Sequence, residues 1–121
     1  MLIKRFCVFL LLAPAVLGGE VHADEIGLAG FVQNIAVKTV SADTYLQTHG
    51  ELVILQTSNE QLTTYRWGGT ACGSKVLTDA QLSYLMDFAS APYMVVEPIH
   101  KPGQGDSKCL VGFTAYNVKY E

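Results

Sequence analysis

Basic runs are missing from this sequence, and so is an acidic tail. Past residue 23 the acids number ten, the chain's eleven less Glu20. The bases number six, its eight less Lys4 and Arg5, which leaves a net charge of −4. A nucleic-acid surface needs Lys and Arg gathered on one face, so that class is set aside. Cysteine is scarce, with 3 in all. No His or Cys stands at ligand spacing from Cys72 or Cys109, so no zinc site is expected, and no cofactor is implied. Gly103-Gln104-Gly105 leads into a predicted strand and not a helix, so it is no phosphate-cradling loop. A nucleophile elbow, an internal repeat and a low-complexity segment are all absent.

What is present begins with an export signal. Lys4 and Arg5 precede the apolar run Phe6 to Leu17, and Val21-His22-Ala23 fits a small-x-small cleavage site. That run is too short and too close to the N-terminus for a membrane span. The expected mature chain starts at Asp24, is secreted or periplasmic, and forms one domain over residues 24–121. Cys7 leaves with the signal. Cys72 and Cys109 remain, an even pair that reads as one disulfide in an exported chain. Closing a loop of this length is worth about 3–4 kcal/mol in chain-entropy bookkeeping, against a total stability of about 5–10 kcal/mol for so small a domain.

The strongest local signals lie between Ala71 and Tyr120. Thr78 is placed as an N-cap, with Gln81 three residues on to complete a capping box. Leu77 and Leu82 flank the cap as a hydrophobic staple, and Asp79 suits the positive helix end. Leu82, Leu85, Met86 and Ala89 form an apolar stripe at helical spacing. Pro92 forbids continuation. The spacing predicts a helix near residues 79–90. Strands follow over Tyr93–Ile99 and Cys109–Val118, joined by a loop from His100 to Lys108. In the second strand Cys109, Val111, Phe113 and Ala115 share the face expected to be buried. Pro98 cannot donate to a ladder and marks an edge or a bulge.

The first half predicts four strands. Phe31–Val40 is the first, with Phe31, Ile35 and Val37 on one face. Thr44–Thr48 is a short second strand, and His49-Gly50 a tight turn. Glu51–Thr57 is the most apolar strand, expected at the centre. Gln61–Trp67 alternates Leu62, Thr64 and Arg66 against Thr63, Tyr65 and Trp67, and Gly68-Gly69-Thr70 breaks it. A meander, one helix and a closing hairpin make a mainly β chain with one α-helix, wired like a small antiparallel OB-type barrel. An open sheet with the helix on one face is the alternative.

Catalytic material is thin, and an enzyme is not expected. His100, Asp106 and Ser107 share one flexible loop, which gives a Ser-His-acid set no rigid support. Asp87 and Glu97 are two carboxylates that nothing in the sequence brings together. His49 reads as a solvated turn residue. Binding has better material in Tyr65, Arg66, Trp67 and Thr70. Aromatic faces stack on sugar C–H surfaces, while Arg and Thr hydrogen-bond hydroxyls or a carboxylate. The competing reading puts Trp67 in the core with Arg66 as its solvated neighbour. On the helix, Tyr84, Asp87 and Phe88 lie off the apolar stripe, a second flank that suits either self-association or a barrel wrapped further around the helix.

The helix Asp79–Ser90, the strand Met94–Pro98 and the segment Cys109-Leu110-Val111-Gly112-Phe113 together resemble the binding (B) subunits of bacterial A-B toxins with pentameric B rings, in their subtilase-cytotoxin and pertussis-like branch. The resemblance covers about half the mature chain and transfers no sugar-contact residue. It implies an OB fold, a homo-oligomer, a cell-surface glycan as ligand and a catalytic toxin subunit as partner. The expected function is therefore non-enzymatic glycan binding by an exported module. A protein-interaction module, such as an inhibitor of another organism's enzyme, is the alternative.

Overall fold

The structure, a computed structural model, describes residues 23–118. The export signal expected over residues 1–23 lies outside the described residues except for Ala23. Six strands and two helices follow in order: β1 (Glu25–Ile26), β2 (Gly30–Val37), β3 (Gly50–Gln56), β4 (Leu62–Trp67), α1 (Gly69–Cys72), α2 (Asp79–Ala89), β5 (Met94–Pro102) and β6 (Lys108–Asn117).

The sheet order β1-β5-β2-β3-β4-β6, with β5 also paired to β6, closes on itself. It is a five-strand mixed barrel of the OB kind and not an open sheet. Three antiparallel ladders are long: β2 on β3, β3 on β4, and β5 on β6. Two seams complete the closure, each through one residue pair. Gly30 meets Val96 between β2 and β5, and Arg66 meets Cys109 in the parallel contact of β4 with β6. β1 extends the line of β2 along β5, with Glu25 opposite His100 and Ile26 opposite Ile99.

The core is a cluster of Leu52, Ile54, Tyr65, Trp67, Leu77, Leu85, Val96 and Leu110. Alternation in β3 is regular, with Leu52 and Ile54 inward. In two other strands a bulge interrupts the alternation. The β2 register slips between Val32 and Asn34, leaving Gln33 extra. Val32 and Ile35 therefore pack on the core, and Val37, expected beside Ile35, is exposed. The β6 register slips opposite Ile99 and His100, leaving Val111 extra. Leu110 enters the core ahead of that bulge, and Phe113 and Ala115 pack on it beyond. Cys109 is buried outside this cluster, against α1. The slip falls close to Pro98, whose carbonyl accepts from the Gly27 N–H at 2.9 Å.

Helix α2 starts as its sequence dictates. The Thr78 hydroxyl accepts from the Gln81 N–H at 3.1 Å, and the Gln81 side-chain oxygen accepts from the Thr78 N–H at 2.9 Å. Its buried side is rotated from the expected stripe. Leu85 is buried, with Leu82 and Phe88 packed on the core, while Met86 is 54% exposed and Ala89 is exposed as well. The Cys72–Cys109 disulfide is present, its Cα atoms 5.6 Å apart. No helix among the described residues is long and apolar enough to cross a membrane.

Candidate functional site

The connection from β2 to β3 is not the strand expected at Thr44–Thr48. It is a chain of tight turns. The Ala42 N–H donates to Thr39 O, Tyr45 N–H to Ala42 O, and Gln47 N–H to Thr44 O. Small polar residues such as Ser41, Asp43 and Thr44 favour such turns over a ladder. The turns carry Tyr45 to a position where its ring stacks on that of His49, with centroids 4.1 Å apart and planes 10° from parallel.

Backbone bonds fix this loop on the barrel. The Lys38 N–H donates to His49 O, and the His49 N–H donates to Trp67 O at 2.8 Å. The Thr70 and Ala71 N–H groups, at the start of α1, donate to Leu46 O and Gln47 O. Two glycines allow the close approach. Gly68 has φ 71, a left-handed conformation that disfavours other residues, and a Cβ there would collide with the His49 ring. Gly50 lies under the Trp67 indole, where a Cβ would meet ring carbons.

The result is a cleft of about 250 Å³ between the β2–β3 loop and the start of α2. Trp67 forms its floor, Tyr45 and His49 one wall, and Val76, Leu77 and Leu82 another. Lys38 and Asp79 supply opposite charges. The Lys38 ammonium donates to the Thr48 hydroxyl at 3.0 Å, which fixes the side chain on the loop. Such a mixture of apolar walls and a few converging polar groups characterises small-ligand sites.

The four residues expected to form one binding site are dispersed. Tyr65 and Trp67 point inward, 1% and 2% exposed, so the core occupies their ring faces. Only Trp67 reaches the cleft. Arg66 points outward and pairs with Glu51 on β3, Nε to Oε1 3.3 Å. Thr70 lines a separate hollow on the disulfide side, with Lys75 and Gln104. Sequence reasoning missed Tyr45, Lys38 and Asp79 as neighbours and took His49 for a solvated turn. The available signal was the Gly68-Gly69 pair directly after Trp67, which marks a close backbone approach.

A second cleft, of about 340 Å³, brings together His100, Asp106 and Ser107 with Glu25 and Lys108. Among the described residues no hydrogen bond joins Ser107 to His100. His100 is 6% exposed, its ring 5.3 Å from that of Tyr65 and its Nδ1 3.9 Å from Glu25 Oε1. Burial lowers its pKa below the ordinary histidine value; Glu25 opposes this shift and Lys108 adds to it. Burial likewise raises the Tyr65 phenol. Among the described residues no three His, Cys, Asp or Glu side chains are arranged to hold a metal ion. On α2, Phe88 stacks on Tyr84 and meets Phe113 edge-on at 5.9 Å, so it belongs to the fringe of the core, while Tyr84 and Asp87 are exposed. Comparison of the chain with protein-family models, with curated proteins and with solved structures finds no match.

Proposed function

We propose that this chain is an exported, non-enzymatic binding module whose ligand is a glycan, taken up in the cleft between the β2–β3 loop and α2. The observation that carries the reading is the Tyr45–His49 ring stack set beside Lys38 and Asp79 at one opening. Pyranose rings present C–H faces to aromatic walls and hydroxyls to polar groups, and this opening offers both. Loops of an OB barrel are where such ligands bind as a rule. The disulfide fits an oxidising compartment, extracellular or periplasmic. A toxin-type B-subunit role is the specialised form of this reading, and it additionally requires a catalytic partner.

The test is a glycan array probed with oxidised mature protein, alongside Tyr45→Ala and Lys38→Ala. Binding by the parent chain, lost in both variants at unchanged far-UV dichroism, is the expected result. Absence of binding to every glycan removes the reading. A second reading is favoured by Val40 and Leu46, 79% and 76% exposed in the same loop. Apolar side chains so open beside a cleft suit a protein partner, as in an inhibitor. Loss of a captured protein partner on Leu46→Asp, with the glycan array silent, selects that second reading.

A further inference from the structure

Among the described residues the barrel has a long strand edge that no other strand pairs. β6 is zipped to β5 along its length, from Lys108 opposite Pro102 to Asn117 opposite Met94. On its other edge its one ladder pair with β4 among the described residues is Cys109 opposite Arg66. Among the described residues no strand follows that edge from Val111 to Asn117, and no turn or loop hydrogen bond engages it. Helix α2 packs mainly toward β2 and β5 and touches β6 through Phe88, which meets the inward-facing Phe113 ring edge-on. The stretch Val-Gly-Phe-Thr-Ala-Tyr-Asn carries no charge and no proline. Charge and proline are two of the devices by which edge strands ordinarily refuse partners, and past the Val111 bulge this edge has neither.

Gly112 sharpens the point. Its φ is not positive, so the neighbouring bulge does not demand glycine. A Cβ there would meet only the Ile99 side chain, at an ordinary 3.7 Å. Glycine within a strand weakens it, and often marks a place where another backbone or ligand comes close. Four positions on, on the same face of the strand, Tyr116 is 49% exposed.

We propose that two copies of this chain join β6 to β6, antiparallel, on a two-fold axis through Thr114. In that register Tyr116 of each copy covers Gly112 of the other, and Phe113 faces Ala115, a large side chain on a small one on both faces. Cross-strand pairs of an aromatic over glycine stabilise such ladders. The interface is self-complementary, as a two-fold contact must be, and it joins the two barrels' β5–β6 ladders into one antiparallel sheet. The proposal does not rest on the glycan reading.

Sedimentation equilibrium of oxidised mature protein is expected to give the mass of two chains at high concentration. Thr114→Lys sets two like charges opposite each other and raises the dimer dissociation constant about tenfold or more. The side chain is exposed, so far-UV dichroism should not change. Tyr84→Lys, on the exposed side of α2, leaves the dimer intact. Thr114→Cys gives a covalent dimer on non-reducing gels under mild oxidation, because residues on the axis face each other within disulfide reach. A single-chain mass at the highest concentration overturns the proposal. So does the mass of a larger ring, a dimer indifferent to Thr114→Lys, a dimer dissolved by Tyr84→Lys, or failure of the Thr114→Cys cross-link.

Discussion

Trp67→Ala removes an indole that is packed over Gly50 and belongs to the core cluster. Truncating a buried aromatic costs about 3–5 kcal/mol, a large share of what a domain of this size has. The expected outcome is a clear fall in the urea midpoint with the slope retained, and at the upper end no folded protein at all. This also explains why Trp67 alone cannot test binding. Tyr45, half-buried on the loop, is the informative position, because its ring contributes a wall of the cleft and little of the core. Gly68→Ala acts through a different cause. The substitution forces a side chain into left-handed backbone and against the His49 ring. Strain of that kind costs about 1–3 kcal/mol, and it displaces His49, so the proposed glycan binding should weaken along with stability. His100 gives a pH dependence whose sign is fixed by its burial. Its folded pKa lies below the unfolded value of about 6.5, so the unfolded chain binds the proton first as pH falls. The contribution is complete above that value and is lost as pH falls toward the folded pKa. Denaturation midpoints measured between neutral and mildly acid pH should fall, and His100→Phe should flatten that part of the curve.

At the level of elements, local chemistry was legible and side-chain facing was not. The helix start could be read because Thr78 and Gln81 satisfy each other within four residues, needing nothing from the rest of the chain. The capping box predicts its own test: Thr78→Ala should cost about 1 kcal/mol, read as a shift in the thermal or urea midpoint. The disulfide was legible because a domain with two cysteines leaves them one partner each. Strand positions were also close except at Thr44–Thr48, since β-branched and aromatic runs end at turn residues. Facing failed around Gln33 and Val111, where a single extra residue puts Val32 and Leu110 inward in place of Phe31 and Val111, while Ile35, Phe113 and Ala115 beyond the bulges pack on the core as expected. Nothing in Phe-Val-Gln-Asn-Ile marks the bulge; curvature of the closed barrel imposes it. The helix stripe failed for a related reason. Leu82-Leu85-Phe88 and Leu82-Leu85-Met86-Ala89 are both credible apolar flanks, and the choice between them belongs to Phe113 on β6, which receives Phe88 edge-on. The cleft was missed because its parts come from β2, the β2–β3 turns, β4 and α2, and only closure assembles them.

For the molecule as a whole, closure is the vulnerable step. Each long ladder joins strands that are neighbours in sequence, and is therefore cheap to form. The two seams are distant in sequence and hold one residue pair apiece. The β2–β5 seam is reinforced by α2 and the core beneath it, together with β1 lying along β5 through the Asp24–Lys101 ion pair at 3.2 Å. The β4–β6 seam has a covalent support. Cys109 is itself the seam residue opposite Arg66, and its bond to Cys72 ties β6 to α1, the segment that directly follows β4. Gln104 N–H donating to Ala71 O binds the β5–β6 loop to the same helix. The bridge thus sits where the barrel would otherwise part. Replacing both cysteines by serine should cost about 3–4 kcal/mol, and the loss should have a location. Amide exchange at Arg66, at position 109 and at Leu110 should accelerate ahead of that in the β2–β3 ladder, because the seam opens while the meander holds. Uniform acceleration across all strands would mean that the bridge acts only on the unfolded chain, and that β4 and β6 hold together without it.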